Sequence, residues 1–233
     1  MRLLVLSDIH ARAEMAAEIL RGVHGCDLVL IAGDLTSGGS GREADHVIGS
    51  LLAVDPSVPM LAVRGNCDGP GVADALEKAR IFVEDRLVDR CGILIAGVGG
   101  GLHHHGVTVF ERRDRELGNS LDRALGTAAP GVSPGGADPR PLVVLSHTPP
   151  YGSGADLRHG RPTGSRELSR RLATFAPAAW ICGHTHESRC AIRTQGCLVV
   201  NPGSVAEGYY ALVELEHAAG GPARVTGSLH VLE

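Results

Sequence analysis

Lysine is almost missing from this chain of 233 residues, where Lys78 stands alone and every other fixed cation is an arginine. Positive charge is also in deficit: 26 acids against 22 bases give a formal net charge of −4 and a pI near 6.3. A protein that grips long nucleic acid by its phosphates has the opposite balance. Aromatic residues, at 3%, are too few to build stacking platforms for single strands. No apolar run approaches the roughly 20 residues that cross a bilayer, and the N-terminal residues lack the basic-then-apolar pattern of a signal segment. The six cysteines (Cys26, Cys67, Cys91, Cys182, Cys190, Cys197) contain no C-x-x-C pair, so most are expected to be small core residues. Together these absences predict a soluble, cytoplasmic protein with no membrane contact and no stable nucleic-acid complex.

What is present is a succession of short apolar runs that each end in polar residues. The length suits one large α/β domain over residues 1–233, with a flexible loop or lid over about 99–140, where Gly and Pro concentrate. Arg2 to Ser7 reads as a buried strand followed at once by Asp8-Ile9-His10. Asp27 to Ala32 reads as a second, ending in Gly33-Asp34, and Val58 to Arg64 as a third, ending in Gly65-Asn66-Cys67-Asp68. Helical spacing marks Ala11 to Gly22, Gly41 to Ala53 and Val72 to Arg80 between and after them. Ile81 to Val83, Leu87 to Val88 and Ile93 to Val98 suggest a sheet turning back through hairpins, and Glu111 to Leu125 a charged helix. Leu142 to Ser146 runs into His147, and Ala179-Trp180-Ile181-Cys182 stops at Gly183-His184-Thr185-His186.

If the chain stays extended past Gly183, His184 and His186 point the same way toward one guest. By itself an H-x-H pair is ordinary. Five strand ends, however, supply Asp8, His10, Asp34, Asn66, His147, His184 and His186, and in open α/β sheets sites form at the carboxyl ends of the strands. Their coincidence at one end of one sheet points to metal. The mixed oxygen and nitrogen donors suit manganese, iron or zinc better than magnesium or calcium. Seven donors exceed the needs of one ion, whereas two ions bridged by a carboxylate account for the number.

The order Asp8-x-His10, Gly33-Asp34, Gly65-Asn66-x-Asp68, His147, Gly183-His184-x-His186 resembles the calcineurin-like metallophosphoesterase superfamily across nearly the whole chain. Within it, His147-Thr148-Pro149-Pro150-Tyr151-Gly152 and Asn201-Pro202-Gly203-Ser204 are similar to the Icc-related predicted phosphoesterases of bacteria and archaea. The resemblance implies a four-layer α/β/β/α sandwich with two mixed sheets. It also implies two divalent ions, with manganese expected and iron or zinc acceptable. Asp8, His10 and His186 would hold one, Asn66, His147 and His184 the other, and Asp34 would bridge them. The implied reaction is phosphoester hydrolysis by a metal-bridging hydroxide, most naturally on small phosphodiesters. A phosphomonoesterase, a nucleotide pyrophosphatase and a non-catalytic binding scaffold on the same fold are the competing readings.

The catalytic residues expected are Asp34, Cys67 and Asp68, and the substrate contacts expected are Asn66 together with His104 and His105 of the Gly-rich loop. Many relatives have histidine where this chain has Cys67, and that histidine helps to protonate the leaving oxygen. A thiol is a poorer acid, so Cys67 either merely fills the space or, with that acid lost, biases the enzyme toward diesters and good leaving groups. His103, His104 and His105 either reach over the site from their Gly-rich loop to replace that acid or sit in solvent. Arg112, Arg113, Asp156 and Arg158 are ambiguous in the same way.

Overall fold

The structure, a computed structural model, describes residues 1–103, 106–126, 140–216 and 223–232. The first half alternates strand and helix: β1 (Arg2–Leu6), α1 (Ala13–Gly22), β2 (Leu28–Ala32), α2 (Gly41–Val54), β3 (Met60–Val63) and α3 (Pro70–Lys78). Next come an antiparallel pair, β4 (Leu87–Arg90) and β5 (Ile93–Val98), and a short ribbon, β6 (Gly101–Leu102) with β7 (Glu111–Arg112). Then follow α4 (Asp114–Gly126), β8 (Leu142–Ser146), the hairpin β9 (Leu157–Arg158) and β10 (Arg161–Pro162), α5 (Arg166–Phe175) and β11 (Ala179–Ile181). After a short 3-10 helix, His186–Ser188, the chain closes with β12 (Cys190–Thr194), β13 (Cys197–Asn201), β14 (Tyr209–Glu216) and β15 (Arg224–Val231).

The strands form two large mixed sheets, ordered β15-β14-β1-β2-β3 and β12-β13-β11-β8-β5-β4. Alternation along each strand explains why both are buried on two faces. Leu4 and Leu6 of β1, with Val29 and Ile31 of β2, face α1, α2 and α3, whereas Leu3, Val5, Leu28 and Leu30 face the other sheet. The second sheet repeats the pattern: Val143, Leu145 and Ile181 point inward, and Val144, Trp180 and Val199 pack on α4 and α5. The result is the expected α/β/β/α order. Two-sided burial is also why the strands read as unbroken apolar runs.

Three sequence expectations are corrected. The chemistry-bearing strand ends belong to both sheets rather than one, since β1, β2 and β3 lie in the first and β8 and β11 in the second. Ile81 to Val83 is not a hairpin: it crosses between the sheets, with Ala62 N–H donating to Ile81 O at 2.8 Å and Val83 N–H to Ala62 O at 3.1 Å. The helix expected from Glu111 starts at Asp114, because the Glu111 carboxylate instead accepts from the N–H groups of Gly106, Val107 and Thr108 at 2.8–3.0 Å. Glu116 then caps the shorter helix by accepting from Arg113 N–H at 2.8 Å.

Trp180 is the largest fully buried side chain, and its indole N–H donates to Ser146 Oγ at 2.8 Å. Ser146 immediately precedes His147, and Trp180 lies four residues before His184. Trp180→Phe removes the donor and part of the volume, and we expect a loss of about 2 kcal/mol of stability. Urea unfolding followed by circular dichroism checks this, and an unchanged midpoint would contradict it.

Candidate metal centre

Four residues of the cluster have backbones in the left-handed region that side chains normally avoid: Asp8 (φ 53°), His10 (φ 47°), Asp34 (φ 51°) and His184 (φ 69°). Such strain persists where the surroundings over-determine it, typically at functional sites. The surroundings here are backbone bonds among the loops. Asp8 N–H donates to Gly33 O and His10 N–H to Asp34 O, both at 3.0 Å, and Gly183 N–H donates to His147 O at 3.0 Å. Gly183 is required for the approach, since a Cβ there would lie 1.7 Å from Ser7 Oγ and 2.7 Å from Asp8 Oδ2. At Gly33 a Cβ would lie 2.6 Å from His147 Nδ1.

These loops bring all seven candidate ligands together. Ligand atoms of Asp8, His10 and His186 lie within 4.8 Å of one another, as do those of Asp8, Asp34 and His147. Asp34 Oδ2 stands 3.9 Å from His10 Nε2 and 3.6 Å from His147 Nε2, between the two groups. His147 Nε2 is 2.9 Å from Asn66 Oδ1 and 3.2 Å from His184 Nδ1, and His186 Nε2 is 3.0 Å from Asp8 Oδ1. The chain is therefore not extended past Gly183. His184 turns left-handed and joins His147, and His186 opens the 3-10 helix and joins Asp8, so the two imidazoles serve different groups.

The arrangement fits cations. His147 Nδ1 lies 2.7 Å from Ala32 O, an acceptor, so this nitrogen carries the proton of the neutral ring. Nε2 then presents a lone pair to Asn66 Oδ1 and Asp34 Oδ2, acceptor against acceptor. Asp8 is 1% exposed; Ser7 Oγ and His184 N–H donate to its Oδ2, while its Oδ1 faces the ring nitrogen of His186 at 3.0 Å. Separations of about 3 to 4 Å are those of donor atoms sharing an ion through bonds of about 2.1 Å.

Cys67 lies beside this centre, its Sγ within 4.8 Å of ligand atoms of His10 and Asp34. Its N–H donates to Asp34 Oδ1 at 2.8 Å, and Asn66 Nδ2 donates to its sulfur at 3.4 Å, which leaves Asn66 Oδ1 turned toward His147. Asp68 is fully buried, and its carboxylate accepts from the N–H groups of Leu35, Thr36 and Gly65 and from Thr36 Oγ1 at 2.8–3.1 Å. These bonds consume it as a tie between the loops after β2 and β3. Arg112 is engaged too, donating to Gly99 O, Ser120 Oγ and Glu116 O. The buried Asp156 carboxylate accepts from Gly152 and Gly164 N–H. His103 turns to Glu111 at 3.1 Å, while His104 and His105 lie outside the described residues.

Sequence reasoning missed the orienting groups Ser7, Ala32 and Thr36 and the support beneath Asn66. Arg64, which precedes Gly65-Asn66, makes paired hydrogen bonds to Glu84 at 3.0 and 3.1 Å and stacks 3.8 Å over Phe110. Phe110 N–H donates to Asn66 O at 2.9 Å. No periodicity or spacing signals these partners, because each bond spans a different pair of loops.

Two facing sheets with oxygen and imidazole donors converging between their strand ends define a binuclear metalloprotein of hydrolase type. The calcineurin-like phosphoesterase family matches residues 1–188, and the chain belongs to that family, whose chemistry is metal-dependent phosphoester hydrolysis at a pair of divalent ions. An uncharacterized protein of Methanocaldococcus jannaschii is 27% identical over 207 residues, covering 87% of this chain and 88% of its own. The fold is shared with a Thermus thermophilus protein (TM-score 0.71, 19% identity, 91% and 92% of the two chains). It is also shared with a dimetal phosphatase from Danio rerio (TM-score 0.63, 13% identity, 97% and 98%). Among the described residues no helix is long and apolar enough to cross a membrane.

The electrostatics couple protons to metal. Burial alone would raise Asp8, but His186, His147 and Ser7 hold it well below the usual carboxylate range. Burial drives His184 down to about 3, reinforced by His147. His186 is raised by its bond to Asp8, and His147 is raised because Asp34 and Asp8 outweigh its burial. A raised imidazole keeps its proton to higher pH, and proton and metal compete for one lone pair. Metal affinity should therefore weaken as pH falls from about 8 to about 6, with protons released on loading. Calorimetry of manganese binding in buffers of different ionisation enthalpy measures the release, and pH-independent binding without proton release would contradict the coupling.

Proposed function

We propose that this protein is a cytoplasmic phosphodiesterase of one domain that acts on small phosphodiesters with a manganese pair. The observation that carries the reading is the set of buried acceptors facing one another without protons to share. Asp8, His10 and His186 would hold one ion and Asn66, His147 and His184 the other, with Asp34 placed to serve both. Iron or zinc would satisfy the same donors. When bound, such a pair neutralises charge on phosphoryl oxygens and lowers the pKa of water toward about 7.

The chain's own residues do the rest. Asp34 Oδ2 faces both histidine groups, and its other oxygen is pinned by Cys67 N–H. Asn66 offers its amide oxygen with the orientation fixed through Cys67 Sγ. Asp68 acts as a positioning residue, holding the Gly65 and Thr36 loops at their separation. Cys67 is the group available to meet a leaving oxygen, and burial together with Asp34 pushes its thiol far up, so it holds its proton and is a weak acid. This favours esters whose leaving groups depart without protonation. From the sequence alone we assign His104 and His105 to substrate contact.

Hydrolysis of p-nitrophenyl mono- and diesters by manganese-loaded and metal-stripped protein tests the proposal. We expect metal-dependent turnover with the diester preferred, and Cys67→His to shift the ratio toward the monoester by about tenfold or more. An unchanged ratio would remove the role given to Cys67. Tight metal binding with no turnover of either ester would favour the scaffold reading.

A further inference from the structure

The β9–β10 hairpin is built to hold still. Its two turn residues, His159 (φ 49°) and Gly160 (φ 74°), are both left-handed, the turn geometry whose twist matches paired strands. Its base is tied by Asp156, whose carboxylate accepts from Gly152 and Gly164 at 2.8 and 3.0 Å and whose carbonyl accepts from Thr163 at 2.9 Å. Its flank is tied to the 3-10 helix that begins with His186: Leu157 N–H donates to Ser188 Oγ at 2.9 Å, and His159 N–H to Glu187 Oε1 at 3.0 Å. The hairpin is thus seated directly on the metal-ligand segment.

Between those ties stand Arg158 and Arg161, directly opposite each other in the ladder and both exposed. Like charges in that position repel. Several other arginines have carboxylate partners, as Arg2 has Glu214, Arg64 has Glu84 and Arg171 has Asp122. Among the described residues, neither Arg158 nor Arg161 has a hydrogen-bonded or ion-paired side chain. Leu157 and His159, which flank Arg158, are the residues bonded to Ser188 and Glu187, so the pair sits next to the segment that carries His186. A pair of unpartnered guanidinium groups on a tied backbone beside the metal-ligand segment lacks only an anion, and guanidinium forks match phosphate oxygens bidentately.

We propose that Arg158 and Arg161 clamp a second, non-scissile phosphate of the substrate, so the preferred substrate is a phosphodiester that bears a terminal phosphate group. This rests on the phosphoesterase reading and narrows its substrate class.

Two measurements separate the clamp from the hydrolase. In the first, manganese-loaded protein hydrolyses p-nitrophenyl ethyl phosphate and the same diester carrying a terminal phosphate on its ethyl group. In the second, calorimetry compares ethyl phosphonate with ethane bisphosphonate, neither of which is hydrolysed. For the wild type we expect the second phosphate to lower KM, and the second phosphonate to tighten binding, by about tenfold. In the Arg158→Ala, Arg161→Ala double variant both gaps should collapse toward unity, and Arg158→Lys, Arg161→Lys should retain part of each. No gap in the wild type, or a gap that survives in the double alanine variant, would overturn the clamp. Absence of turnover with the binding gap intact would instead sink the hydrolase reading and leave the clamp standing.

Discussion

Everything at this site follows from placing hydrogen-bond acceptors against acceptors where water is excluded. Asp8 Oδ1, Asp34 Oδ2, Asn66 Oδ1 and the Nε2 lone pair of His147 converge within hydrogen-bonding range or just beyond it, without protons enough to pair them. Burying a carboxylate costs several kcal/mol unless a compensating charge is present. Divalent cations supply that charge more effectively than protonated histidines. Strained backbones, close glycines and buried carboxylates are then parts of one arrangement, tolerable in a protein that holds metal.

The sandwich makes that arrangement possible. Each sheet presents strand ends at the same level, and the layer of Leu3, Val5, Leu30, Val143, Leu145 and Ile181 between them sets their separation. The loops then cross the gap through Asp8, whose Oδ2 accepts from Ser7 on its own side and from His184 on the other sheet. Asp68 does the same work between β2 and β3. Positioning carboxylates and ligand carboxylates are chemically alike, and they differ only in how many protein donors each has consumed.

Much of this was legible beforehand. The apolar runs of β1, β2, β3, β8 and β11 marked strands because two-sided burial demands unbroken hydrophobicity. The ligand residues stood out because each follows such a run within a few positions. Helix boundaries near Glu111 misread because a carboxylate that looks like a helix former was recruited by three loop N–H groups. The crossing at Ile81 to Val83 misread because an apolar triplet fits a hairpin and a sheet-to-sheet crossing equally well. Nothing local could pair Arg64 with Glu84, or show that Arg158 and Arg161 face each other.

The amino-acid order by itself determined the layer pattern, the list of candidate ligands and the family, since alternation, strand-end position and motif order are properties of a line of residues. Only the tertiary structure decided which ligand meets which. His184 and His186, two residues apart, part company because a left-handed turn at His184 and a following 3-10 helix send one ring to His147 and the other to Asp8. Backbone dihedrals at such positions answer to contacts from the opposite sheet rather than to neighbours in the chain. Partnership among distant loops therefore had to wait for the fold.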